Sequence, residues 1–78
     1  MFTVYSKLGC PFCDKIEKVF KMKGFEYTKQ MLGEDFNREE FYEKFGKGST
    51  FPRVLDSEGE LIGGATETVV YLRSKGLV

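Results

Sequence analysis

The sequence predicts an α/β fold with the element order β-α-β-α-β-β-α, a four-stranded mixed sheet with helices on both faces. Three observations predict it. Along the chain the apolar period switches between alternation and a helical repeat. The first strand–helix–strand run has a crossover long enough for a parallel pair. Near the C-terminal end, the polar turn Asp56-Ser57-Glu58-Gly59 joins two short apolar runs, as in an antiparallel hairpin.

Each element has its own signal. Phe2-Thr3-Val4-Tyr5 is aromatic and β-branched, and reads as a strand. The first helix runs from Pro11 to Lys23. Pro11 suits the first helical position, where its missing N–H costs nothing. Cys13, Ile16, Val19 and Phe20 form its inward face; Lys15, Glu17, Lys18 and Lys21 face water. Gly24 suits the left-handed residue that ends a helix. Residues 25–31 alternate apolar and polar and read as the second strand. After a loop over 32–36, Asn37 is an N-cap with Glu40 at the capping-box position, and Phe36 and Phe41 stand where a hydrophobic staple joins them. That helix runs to Phe45 and stops at Gly46. Residues 51–55 are a short strand with Pro52 near its start, and 60–62 are its hairpin partner. Gly63-Gly64 breaks that strand, and a last helix covers 66–75, with Val69, Val70 and Leu72 apolar.

The chain has 78 residues, read as a single domain over 1–78, near the lower limit for folding on one core. Eight Phe and four Tyr concentrate apolar area at few positions. The net charge is zero, so no general attraction to nucleic acid or an anionic membrane follows. No apolar run approaches membrane-spanning length, and the N-terminus lacks a signal-peptide core. A reducing, cytoplasmic setting is the expectation. There, a Cys-x-x-Cys pair is more often catalytic or metal-binding than structural.

Cys10 and Cys13 are the two cysteines of the chain. They sit at a strand-to-helix turn, Cys10 at the helix N-terminus and Cys13 one turn in. Free N–H groups and the helix dipole favour negative charge there, which lowers a thiol pKa. Lys7 adds positive charge nearby. Cys10 then serves as the attacking thiolate and Cys13 as the resolving thiol. Two other readings compete. Both cysteines could be small core residues, against which their position at a turn argues. They could hold metal, but a closed zinc site needs four ligands and the chain has no His. That leaves a site shared across a dimer, such as an iron–sulfur cluster. The surrounding β-α-β pattern favours redox chemistry.

The whole segment Tyr5-Ser6-Lys7-Leu8-Gly9-Cys10-Pro11-Phe12-Cys13 resembles the active-site segment of the glutaredoxins, which usually ends Cys-Pro-Tyr-Cys. Glutaredoxins are small members of the thioredoxin-like superfamily. Thr50-Phe51-Pro52 resembles their Thr-Val-Pro segment, whose proline is cis. Ile62-Gly63-Gly64 resembles their Gly-Gly segment. The three motifs stand in the family's order and cover nearly the whole chain.

The resemblance implies a thioredoxin-like fold and a glutathione-dependent thiol–disulfide oxidoreductase, with glutathione as reductant and no metal. It implies that Lys7 pairs with a glutathione carboxylate, Phe12 forms a wall, and Phe51 pairs its backbone with the cysteinyl part of the peptide beside a cis Pro52. Thr50 and Ala65 would complete the groove. Gly64 would permit close approach, and Thr66 would meet the γ-glutamyl carboxylate at a helix N-terminus. Each also has a plain structural use: Lys7 as a solvated lysine, Phe51 as core, Pro52 as a trans edge proline, Gly64 as a strand terminator and Thr66 as a helix cap. Phe12 replaces the family's Tyr, Phe51 its Val, and Ala65-Thr66-Glu67 a segment often richer in Asp. The partners implied are glutathione and protein disulfides, with ribonucleotide reductase as a family-level expectation, acting on a monomer. The alternatives are a redoxin reduced by thioredoxin reductase and an iron–sulfur carrier formed as a glutathione-bridged dimer. Pro11 argues against the carrier, because cluster-holding members often have Ser or Gly there.

Overall fold

A computed structural model describes residues 1–77. The elements are β1 (Phe2–Ser6), α1 (Pro11–Lys23), β2 (Tyr27–Met31), α2 (Arg38–Phe45), β3 (Arg53–Leu55), β4 (Leu61–Gly63) and α3 (Ala65–Ser74). They form one four-stranded sheet in the order β2-β1-β3-β4. β1 pairs parallel with β2 and antiparallel with β3, and β4 pairs antiparallel with β3. This is the expected mixed sheet in the thioredoxin-like arrangement.

Alternation along β1 sorts its side chains between two layers. Val4 turns to one face and joins Ile16 and Phe20 of α1, Val54 of β3 and Leu72 of α3 in the buried core. Tyr5 turns to the other, where its ring meets Phe36, Phe41 and Phe45 at centroid distances of 5.1, 6.4 and 5.0 Å. Helices α1 and α3 therefore cover one face and α2 the other.

The helix ends follow the sequence closely. Asn37 and Glu40 exchange both capping-box hydrogen bonds, at 3.0 and 2.8 Å, and the Phe36 and Phe41 rings stack at 5.7 Å. Gly24 adopts the left-handed conformation after α1, at φ 73°. Phe25 N–H then bonds back to the Phe20 carbonyl at 2.9 Å, and Gly24 N–H to Lys21. This is a Schellman closure, with Phe25 against Phe20 as its apolar contact. It explains why β2 begins at Tyr27 and not at Phe25. Pro52 lacks an N–H for the ladder, so β3 begins at Arg53 and not at residue 51. The Glu60 carbonyl closes the hairpin turn onto Asp56 N–H at 2.9 Å, which moves β4 one residue on, to 61–63.

One side chain overturns its expected place. Glu17 is not on the watery face of α1; it is buried, at 6 % exposure. It accepts a hydrogen bond from the Tyr27 hydroxyl at 3.1 Å and pairs with the Lys29 ammonium at 3.4 Å. A buried carboxylate is tolerated when it is paired in this way. The helical repeat places Glu17 beside β2, which a one-helix reading does not see.

Burial raises the Tyr27 pKa, and the hydrogen bond and charge of Glu17 push it the same way. The folded chain thus holds this proton more tightly than the unfolded chain, whose tyrosines ionise near about pH 10. The contribution is complete below that pH and fades as pH rises through the raised Tyr27 value. Tyr27→Phe should therefore be less stable than the parent at pH 8, and the gap should narrow above about pH 10. Urea midpoints of the two proteins across that range measure it.

Candidate active site

The site forms at the edge of the sheet where β1 ends. Tyr5 pairs with Arg53, and Val54 pairs with Gly63. That register brings the start of β3 and the end of β4 beside the loop that leaves β1. The three motif segments, far apart in sequence, thus meet at one edge. The β3–β4 ladder also slips, since Leu55 pairs with Leu61 while the adjacent Val54 pairs with Gly63. A bulge of this kind re-aims a strand. Here it directs the chain from β4 into α3.

Cys10 is the N-cap of α1. Its backbone is extended, and its Sγ accepts the Cys13 N–H at 3.2 Å. Gly9, at φ 70°, makes the turn that brings it there. The sulfur thus occupies the place of the oxygen in an ordinary N-cap, facing the free N–H groups of the first turn. Cys10 and Cys13 are joined as a disulfide, with Cα atoms 5.2 Å apart. Both are largely buried, at 5 % and 1 % exposure. Leu8 and Phe12 flank the pair and are exposed.

Phe51–Pro52 is a cis peptide, as the Thr-Phe-Pro segment led one to expect. The Phe51 ring stacks on buried Phe41 at 4.2 Å and 14°. The Lys7 ammonium lies over the Phe51 ring, 5.5 Å from its centroid. Such a cation contact contributes about 0.5–1 kcal/mol at an exposed site. Lys7 is therefore tied to the Thr50–Pro52 segment by its position, and its charge stays in water.

Phe12, Thr50, Phe51, Pro52, Gly64, Ala65 and Thr66 line one open groove of about 160 Å³, together with Glu67. Seven of the site residues read from sequence are thus on one surface. Cys10, Cys13 and Lys7 do not line it; they stand at its Phe12 and Phe51 ends. Thr66 is not the cap of α3. Gly64 holds the N-cap position, and the Glu67 carboxylate accepts the Gly64 N–H at 2.7 Å. Thr66 lies in the first turn, among N–H groups without intrahelical partners.

Two contributors were not singled out in the sequence. Glu67 stands three residues after Gly64, at the spacing of a carboxylate that reaches back to a cap, which was its available signal. Phe41 supports Phe51 from the opposite face, and its staple role gave no hint of this. Gly63 and Gly64 differ in backbone conformation. It is Gly63, not Gly64, that has a positive φ, of 135°, and a Cβ built there would lie 2.7 Å from Glu67 Cβ. Among the described residues, no group of three or more His, Cys, Asp or Glu converges as a metal site.

A thioredoxin-like sheet with a Cys-x-x-Cys disulfide at the first helix N-terminus defines a dithiol thiol–disulfide oxidoreductase. The chain belongs to the glutaredoxin family, whose model matches residues 2–62. Among solved structures it is similar to wheat glutaredoxin, at 28% identity and a TM-score of 0.78 over 97% of this chain and 72% of that one. It is similar to buckwheat glutaredoxin in its glutathione complex, at 25% identity and a TM-score of 0.79 over 97% and 71%. Glutaredoxin 1 from Francisella tularensis, complexed with cacodylate, shares the fold at 24% identity and a TM-score of 0.78 over 97% and 94%. No curated protein matches the chain.

The two glycines predict different costs. Gly63→Ala puts an L-residue at a positive φ and drives its Cβ into the first turn of α3, so it should destabilise by about 1–3 kcal/mol. Gly64 has φ −86°. A Cβ there meets one carboxylate oxygen of Glu67, at 3.0 Å, and the Pro52 carbonyl at 3.5 Å, and no side-chain carbon. Gly64→Ala should cost less than Gly63→Ala, and equilibrium urea unfolding of both variants ranks them.

Proposed function

We propose that this chain, acting as one glutaredoxin-like domain, reduces protein disulfides and glutathione mixed disulfides, with glutathione as its reductant. The observation that carries the reading is the Cys10 sulfur at the α1 N-cap, beside a groove lined by the Thr50–Pro52 and Gly64–Thr66 segments. The glutathione of the buckwheat complex supports the choice of reductant. Ribonucleotide reductase is the protein partner the family leads one to test first. The protein is proposed to act as a monomer in the cytoplasm.

In the reduced protein the Cys10 thiolate attacks one sulfur of the substrate disulfide. A bond from Cys10 to that sulfur forms, the old S–S bond breaks, and the departing thiolate takes a proton from water. The Cys13 thiol loses its proton, and its thiolate then attacks Cys10. This releases the second substrate thiolate and leaves the Cys10–Cys13 disulfide. Two glutathione thiols return the pair to the dithiol and leave as glutathione disulfide. For a glutathione mixed disulfide, one glutathione can resolve the Cys10 adduct directly, without Cys13.

Glutathione carries a carboxylate at each end, about 10 Å apart when extended. The Lys7 ammonium at the Phe51 lip serves one end. The first-turn N–H groups of α3 near Thr66 serve the other. Phe12, Phe51 and Pro52 give the uncharged middle, and the Phe51 backbone accepts the peptide as an added strand.

Cys10→Ser should abolish all thiol transfer, whereas Cys13→Ser should keep the turnover of cysteine–glutathione mixed disulfide and lose that of protein disulfides. Steady-state assays coupled to glutathione reductase, set beside assays with thioredoxin reductase as the electron source, test both the roles and the reductant. A dead Cys13 variant with an active Cys10 variant would reverse the assignment.

Lys7→Glu should raise the KM for cysteine–glutathione mixed disulfide several-fold at low salt, because repulsion replaces attraction at an anion site. Lys7 is exposed, so the effect should shrink at 1 M salt, where screening acts over about 3 Å. KM at two ionic strengths measures it.

A further inference from the structure

A second groove begins where the first one ends. It runs between α1 and α3, encloses about 450 Å³ and shares Phe12, Ala65 and Thr66 with the small groove. Its apolar surface comes from Phe12 and Val19 on one helix and Val69 and Val70 on the other, over the buried Ile16. Phe12 and Val70 are 58 % and 60 % exposed, a large apolar area left in water by so small a chain. From Phe12 to Val19 the α1 side spans about 10 Å, the length of roughly three extended residues.

The charge of this groove is one-sided. Lys15 and Arg73 are its charged lining residues, and both are basic and exposed. The small groove has Glu67 as its charged lining residue. The chain as a whole is neutral. The two grooves therefore meet at Phe12 but differ in size and in sign.

We propose that the α1–α3 groove is the docking site for the protein half of a substrate, a short extended segment beside the substrate cysteine that carries an apolar anchor and acidic residues. The inference rests on the glutathione reading only in placing the glutathionyl half in the small groove. Phe12 then separates the two halves of a mixed disulfide. Cys10 attacks the glutathionyl sulfur, the substrate S–S bond breaks, and the protein thiolate departs into the larger groove and takes a proton from water. Val19, Val69 and Val70 receive the apolar side chain, and Lys15 and Arg73 meet the acidic ones. Exposed charge pairs of this sort contribute modestly each and act mainly on encounter and selectivity.

The test uses two glutathionylated peptides, Glu-Leu-Cys-Leu-Glu and Lys-Leu-Cys-Leu-Lys, with cysteine–glutathione mixed disulfide as the small reference. The parent protein should favour the acidic peptide about fivefold in kcat/KM at low salt, as two exposed pairs allow. The double variant Lys15→Glu, Arg73→Glu should reverse that order while leaving the reference substrate unchanged. Val70→Ser should weaken both peptides and spare the reference. Equal turnover of the two peptides by the parent, or no reversal in the double variant, overturns the proposal. If the reference is not turned over at all, the glutathione reading fails instead. The groove is then read by amide NMR shifts on adding Glu-Leu-Ser-Leu-Glu: shifts at Lys15, Val19, Val70 and Arg73 support it, and silence there overturns it. Sedimentation showing a dimer that Arg73→Glu dissolves would assign the groove to a second copy and also overturn it.

Discussion

Tyr5 lies opposite Arg53 in the pairing of β1 with β3, and the redox site depends on that register. β1 is held on both sides, parallel to β2 and antiparallel to β3. Its C-terminal end is thus fixed in position before it releases the chain into the Cys10 turn. The antiparallel partner delivers Pro52 to the same edge, and the β3–β4 hairpin delivers Gly64. A shift of one residue would exchange the faces of a whole strand. It would send Val4 away from Ile16 and Phe20, and the cost of exposing that core holds the register in place.

The aromatic residues hold the site from beneath. A chain of 78 residues has little interior to work with, and all of its eight phenylalanines but the exposed Phe12 pack at the two faces of the sheet. Phe20 meets Phe2, Phe25 and Tyr27 under α1. Phe41 stacks on Phe36 and Phe51 under α2. The second cluster reaches the surface, because the Phe51 ring is supported by Phe41 below and touched by Lys7 above. The larger ring in place of the family's Val is accommodated by this stack and does not fill the groove. Fold stability and the shape of the groove are therefore carried by the same side chains.

Backbone polarity supplies much of the site chemistry. The α1 N-terminus faces the Cys10 sulfur, and the α3 N-terminus faces the groove. Both are ends of helices packed on one sheet, so their N–H groups are held in fixed directions. The side-chain charges are few and placed apart: Lys7 at one lip, Glu67 committed to the Gly64 N–H, and Lys15 with Arg73 on the adjoining groove. An overall neutral chain thus keeps distinct local fields.

The sequence by itself determined the elements and the chemistry-bearing segments. The Pro11–Lys23 helix, the Asn37–Glu40 cap, the Gly24 stop and the parallel and antiparallel pairings were legible because propensity, capping and period act within a few residues. Cys10 at a helix start was legible for the same reason. Strand ends lie one or two residues from where alternation places them, because Phe25 is taken by the α1 closure and Pro52 cannot donate to a ladder. Only the tertiary structure decided that Glu17 is buried against Tyr27 and Lys29, that Gly63 and not Gly64 carries the positive φ, and that Phe41 supports Phe51. The Glu67 cap of α3 is signalled locally by its spacing from Gly64, whereas the tertiary structure also decided that Lys7 rests on the Phe51 ring. Each of these is set by a neighbour on another element, brought near by strand register and helix packing. Local sequence rules carry no information about such a neighbour until the sheet has placed it.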